Sequence, residues 1–155
     1  MKKKIILWTA VLICMAGIFC LSAKPAKVSS KQSGAITKIV NNAVKKLPIQ
    51  KKAKANILKK TETYVRKTAH FTEYFVLGIL VLAACLSTFN KKNFWIALII
   101  CVLYAASDEI HQMFVPGRSC RLTDVFIDAS GSLTGELVFI YLRYILYVKR
   151  GYKND

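Results

Sequence analysis

Residues 94–116 read FWIALIICVLYAASDEIHQMFVP, and this stretch decides the fold. It opens with 14 uncharged residues, Phe94 to Ser107. At 1.5 Å per residue they make about 21 Å of helix. That is short of a hydrocarbon core about 30 Å thick. To cross a bilayer, the helix must run on through Asp108, Glu109 and His111 towards Pro116. The length requirement itself therefore draws ionisable groups into or beside the membrane. Charges at that depth are costly and usually face a partner, a cavity or the protein interior.

Three further stretches share this character. Ile5 to Ala23 carries 19 residues without a charge, preceded by Lys2, Lys3 and Lys4. The basic start resembles a signal sequence, but no A-x-A pattern marks a cleavage site, so an uncleaved anchor is expected. The span from Ala69 to Phe89 is free of charge only from Tyr74 onward. The last, from about Val125 to Val148, contains Asp128, Glu136 and Arg143. Asn90-Lys91-Lys92-Asn93 is a polar turn, and Pro116-Gly117-Arg118 breaks the chain before the last helix. Gly131 and Gly135 form a G-x-x-x-G pair that permits close helix approach. These features predict an all-α membrane bundle of four transmembrane helices in one domain, residues 1–155, with spans of about 5–23, 69–89, 94–115 and 125–148.

Composition alone is ambiguous. The 155 residues are 54% hydrophobic, which excludes a disordered chain. Five Cys are too few for a disulfide-stapled miniprotein. The net charge is +16, which in a soluble protein would suggest nucleic acid. Its distribution says otherwise. Residues 24–67 hold 13 Lys and Arg against one acid, Glu62, a net +12. Within that loop Ile36, Ile39, Val40, Ala43, Val44 and Leu47 recur at helical spacing until Pro48. A basic amphipathic segment of this kind suits an anionic lipid surface. No aromatic interleaves its lysines except Tyr64 at the far end, so nucleic acid is not expected as a partner. A solvated linker is the plainer reading of the same residues.

The scarce acids are sorted as well. Antiparallel alternation brings the start of the second span, the end of the third and the start of the fourth to one membrane face. That face collects His70 and Glu73, then Asp108, Glu109, His111 and Gln112, then Arg118, Arg121, Asp124 and Asp128. It holds five of the eight acids and both histidines. His70 and Glu73 are i,i+3 neighbours, and Asp108, His111 and Gln112 are i, i+3 and i+4. Asp124, Asp128, Gly131 and Gly135 form one stripe. His70, Glu73, Asp108 and His111 are the candidates for general acid/base chemistry, because a His–carboxylate pair can move protons. Glu109, Gln112, Arg118, Asp124 and Asp128 are candidate ligand-binding residues, with Arg118 suited to an anionic group. A purely structural ion-pair cluster explains the same residues. Neither H-E-x-x-H nor C-x-x-C is present, so no metal site is assigned, and the sequence names no cofactor.

At these residues the chain resembles a known family. Arg66-Lys67-Thr68-Ala69-His70-Phe71-Thr72-Glu73-Tyr74 is similar to the R-K-x-A-H-F-x-E-Y signature of VanZ-like membrane proteins. Ser107 to Arg118 resembles their second signature, and Asp124-Val125-Phe126-Ile127-Asp128 with Gly131 their third. Ser22-Ala23-Lys24-Pro25-Ala26 looks like the serine- and proline-containing stretch after the family's first helix. The resemblance implies a small integral membrane protein of the bacterial cell envelope. It also implies a link to low-level resistance to teicoplanin, a glycopeptide that binds cell-wall precursors. A wall precursor or anionic lipid is then the expected partner beside the lipid bilayer itself. No reaction comes with the resemblance. The alternative is a non-enzymatic scaffold whose basic loop recruits lipid or a partner.

With four spans, both termini lie on one side. The signal-like start predicts that side to be the cytoplasm, leaving residues 24–67 outside, since the positive-inside rule weakens for longer loops. A reporter that works only in the cytoplasm, fused after Lys60, is therefore expected to be silent. Activity at that position would reverse the topology.

Overall fold

The computed structural model describes residues 1–25, 39, 42–43, 51–89, 93–118 and 120–151. Its four long helices are α1 (Lys2–Ser22), α2 (Lys51–Thr88), α3 (Asn93–Gln112) and α4 (Leu122–Gly151). Each is long and apolar enough to cross a membrane, and the described residues contain no strand. The all-helical membrane fold is as the sequence leads one to expect.

The boundaries differ from the sequence expectation in two instructive ways. Residue 69 is not a helix start. α2 begins at Lys51 and runs unbroken for 38 residues, its membrane-crossing part being Thr63–Thr88. The second half of the basic segment is thus helical and continuous with the span, because nothing between Lys51 and Thr63 is Pro or Gly to break it. Conversely, α3 stops at Gln112 and does not run on to Pro116. Its 20 residues already provide about 30 Å. The turn over 90–92 and most of the amphipathic pattern around Ile36 to Leu47 lie outside the described residues.

Each helix buries one stripe. On α2 it is Tyr74, Leu77, Gly78, Val81, Leu82 and Cys85, with Ala84 beside it. On α3 it is Ala97, Cys101, Ala105, Asp108, Glu109 and Gln112, changing along the helix from small apolar to polar. On α4 it is Asp128, Gly131, Ser132, Gly135 and Glu136. The opposite faces carry exposed apolar residues such as Ile99, Leu103, Leu137 and Leu142, as expected of surfaces that meet lipid. α1 is apolar on all sides and buries only Val11, Ile18 and Ser22. Trp8 Nε1 donates to Thr88 Oγ1 at 3.0 Å, and the Tyr104 hydroxyl donates to the Met15 carbonyl at 2.6 Å. These bonds dock α1 on α2 and α3.

The tightest contact joins α2 and α4, which run in the same direction. A Cβ at Gly78 would overlap the Ser132 carbonyl. One at Gly135 would overlap the Phe75 carbonyl, and one at Gly131 the Phe71 carbonyl. Backbone therefore meets backbone, as small residues allow in lipid, where dispersion must replace the hydrophobic effect between helices. Glu136 is buried at this interface, and its carboxylate has no hydrogen-bond partner among the described residues.

Gly78→Ala and Gly135→Ala are expected to destabilise the fold by about 1–3 kcal/mol or more through overpacking. Gly17→Ala is the control, since nothing lies within 4 Å of a Cβ there. Alanine's better helix propensity makes it neutral or slightly stabilising. Unfolding midpoints in mild detergent check both. Equal behaviour of Gly135→Ala and Gly17→Ala would refute the close approach.

Candidate functional site

The polar ends of the four helices meet around Asp108. Its Oδ2 accepts from Ser22 Oγ at 2.7 Å and from Gln112 Nε2 at 3.0 Å. Gln112 Nε2 also lies 3.4 Å from Ser22 Oγ, and Gln112 Oε1 accepts from Arg118 Nη1 at 3.2 Å. Ser22, Asp108 and Gln112 are all buried. A single chain of bonds thus links the end of α1, the end of α3 and the loop before α4.

Arg118 is placed by local backbone chemistry. The Arg118 amide donates to the Val115 carbonyl at 3.1 Å, closing a turn with Pro116 and Gly117 at its centre. Pro supplies the first bend, and Gly117 takes φ 79°, a left-handed value that glycine adopts without steric cost. The guanidinium then reaches α1. Nε donates to the Lys24 carbonyl at 3.1 Å and Nη2 to the Leu21 carbonyl at 3.4 Å. Carbonyls at a helix C-terminus lack intrahelical donors and favour a cation. Burial, then the neighbouring Arg66, pull Arg118 below the ordinary guanidinium value, against the Asp108, Glu109 and Glu73 carboxylates. The structural reading pairs Arg118 with carboxylates. Instead it clamps α1 and Gln112 with three of its five N–H groups.

Across α2 and α4 the pairing is ionic. Lys67 Nζ is 2.8 Å from Asp124 Oδ1, a half-buried bridge. One turn deeper, His70 Nδ1 is 3.8 Å from Asp128 Oδ1. That separation is too long for a hydrogen bond. Neither Asp128 oxygen, nor Asp108 Oδ1, nor His70 Nδ1 has a hydrogen-bond partner among the described residues. One donor atom from each of His70, Asp108 and Asp128 lies within 4.8 Å of the other two. At an effective dielectric of about 20, two like unit charges about 5 Å apart repel by roughly 3 kcal/mol. The arrangement calls for a countercharge or a bound proton.

The remaining candidates are spread around this centre. Glu109 is buried and accepts the Arg121 amide on Oε2 at 2.9 Å, which ties it to the start of α4. His111 stacks on Phe19 of α1 with ring centroids 4.2 Å apart, and its buried Nε2 has no partner among the described residues. Glu73 is half-buried and lines a groove of about 770 Å³ between α1 and α2. The groove is otherwise mainly apolar, with Ile18, Leu21, Val65 and Val76 among its walls.

The structure gathers these candidates at one end of the bundle and keeps the i,i+4 pair of Asp108 and Gln112, but gives the histidines other neighbours than spacing suggests. Spacing groups His70 with Glu73 and His111 with Asp108. The structure sets His70 against Asp128, Asp108 against Ser22 and Gln112, and His111 against Phe19. Ser22, Lys67 and the Leu21 and Lys24 carbonyls are participants that residue chemistry did not single out. Ser22 and Lys67 do fall inside the quoted signatures, and that was the available signal.

Fold and site together define a small multi-pass helical membrane protein with a cluster of ionisable groups at one end of its bundle. The VanZ/LLP1 family model matches residues 7–146, so the chain belongs to that family. No curated protein and no solved structure matches the chain.

Arg118→Ala removes three hydrogen bonds from a charged donor and is expected to cost about 1–3 kcal/mol of stability. Arg118→Lys should recover only part, since an ammonium cannot present a planar fork to three acceptors. Unfolding midpoints of the two variants test this. Full recovery by lysine would show that the fork is not required.

Proposed function

We propose that this protein works at the cell envelope as a multi-pass protein of the cell membrane, both termini inside, whose polar site binds the headgroup of a membrane-anchored ligand. An anionic lipid or a lipid-linked wall precursor has the required two-part chemistry. The observation that carries this reading is the adjacency of the mainly apolar α1–α2 groove and the polar cluster, joined at Glu73. Its volume of about 770 Å³ falls within the range of roughly 300–1,000 Å³ usual for ligand sites. A hydrocarbon chain lies along the groove while its headgroup meets Glu73, His70 and the Asp108 network. His70, Glu73, Asp108 and His111 handle protons or polar ligand groups. Arg118 keeps two N–H groups for an anionic oxygen, and Asp124 and Asp128 orient their neighbours. Occupying or altering a wall precursor in this way lowers susceptibility to a glycopeptide such as teicoplanin.

The reading also requires α1 to stay on the chain. Support comes from its contribution of Ser22 and two carbonyls to the site. Cleavage after α1 would remove the donor to Asp108.

Complementation at wild-type expression tests the proposal, with teicoplanin susceptibility as readout. His70→Ala, Glu73→Gln, Asp108→Asn and Arg118→Lys are each expected to reduce protection. Full protection from all four would remove the site from the function. Loss only when the lysines of residues 24–60 are neutralised would identify the scaffold reading, in which the basic segment recruits anionic lipid.

A further inference from the structure

We propose that His70, Asp108 and Asp128 bind one divalent transition-metal ion. The three residues come from three helices and are far apart in sequence, so no local spacing reveals them. In space, one donor atom from each lies within 4.8 Å of the others. Asp108 and Asp128 are 2% and 0% exposed, so this is not an acidic surface patch that water neutralises.

A second observation is independent of that proximity. Both oxygens of Asp128, Oδ1 of Asp108 and Nδ1 of His70 are buried and lack hydrogen-bond partners among the described residues. Buried polar atoms are nearly always satisfied, and several unsatisfied ones converging on one point suggest a missing ion. The basic groups around the cluster do not fill the role. Lys67 is bonded to Asp124, and the bonds that Arg118 donates go to α1 and Gln112, none of them to these atoms. Asp108 is held like a metal ligand: Ser22 and Gln112 fix Oδ2 and leave Oδ1 available. Such outer partners orient ligands in metal sites.

The donor set selects the kind of ion. One imidazole with two carboxylates suits Zn²⁺ or Mn²⁺ better than Ca²⁺ or Mg²⁺, which prefer oxygen alone. Two carboxylates also balance the charge of a divalent ion. Three protein ligands leave at least one coordination position for water or an oxyanion. A phosphate headgroup could reach that position, although metal binding itself does not depend on the ligand proposed above.

The test uses the full-length untagged protein in mild detergent, stripped with a chelator and then titrated with Zn²⁺ or Mn²⁺. One equivalent is expected to bind. Losing a group that only hydrogen-bonds a metal ligand typically weakens a metal site about 10-fold or more, so loss of a direct ligand in His70→Gln or Asp128→Asn should do at least as much. Asp108→Asn serves if Asp128→Asn fails to fold, and circular dichroism establishes folding for every variant. Glu136→Gln removes a different buried carboxylate and should bind as the wild type does. Substoichiometric binding by folded wild-type protein would overturn the proposal. So would folded ligand variants that bind like the wild type. Because the readout is metal content, it is separate from teicoplanin susceptibility, and the two proposals can fail independently.

Discussion

The backbone contact between α2 and α4 is the constraint on which the rest depends. With glycine at 78, 131 and 135, the two helices approach until side chains no longer separate them. In lipid this is one of the few ways to gain packing energy, because the hydrocarbon solvent offers no hydrophobic incentive to associate. The same approach has an electrostatic result. Asp128 lies one turn before Gly131 on the same stripe, so closing the glycines presses its carboxylate against α2, where His70 waits. The fold thus gains its tightest contact at the expense of burying an ionisable carboxyl, and the site is where that group is accommodated.

Asp108 joins the other two helices to this pair. α3 carries small apolar residues at one end of its buried stripe and Asp108, Glu109 and Gln112 at the other. Each of these has a distinct task. Glu109 holds the start of α4, Gln112 connects to Arg118, and Asp108 receives Ser22. Arg118, returned by the Pro116-Gly117 turn, then closes the ring on the end of α1. At its other end and its middle, α1 is fixed by the Trp8–Thr88 and Tyr104–Met15 bonds. Polar groups at its last turn complete its registration, a role for buried polar contacts also seen where they select one helix pairing over another.

The architecture was legible because membrane crossing imposes a length that sequence must satisfy. The 14-residue apolar run from Phe94 could not cross alone, and that shortfall exposed Asp108 to Gln112 as residues at depth. Clustering of five acids and both histidines at one face followed from alternation of the helices. Pairing between helices was not legible, although i,i+4 spacing did mark Asp108 with Gln112. Spacing of three or four residues identifies neighbours on one helix, whereas His70–Asp128 and Ser22–Asp108 depend on rotation and depth of separate helices. Helix ends were missed for a local reason. Lysine is a good helix former, so a charged segment such as Lys51–Thr63 can be helix beyond the span. The charge analysis keeps part of its value: the +12 of residues 24–67 is a property of one stretch of sequence, although Lys67 at its end reaches the acidic cluster through Asp124.

The central claim is that His70 finds its partner across helices, in Asp128, and not along its own helix. Double-mutant cycles on unfolding in detergent measure this directly. His70→Ala with Asp128→Ala is expected to give a coupling energy of about 1 kcal/mol or more, within the range for residues in contact. His70→Ala with Glu73→Ala, neighbours on one helix with no hydrogen bond or ion pair between them, should couple less strongly than that. Additivity of His70 with Asp128, together with strong coupling of His70 to Glu73, would contradict the account.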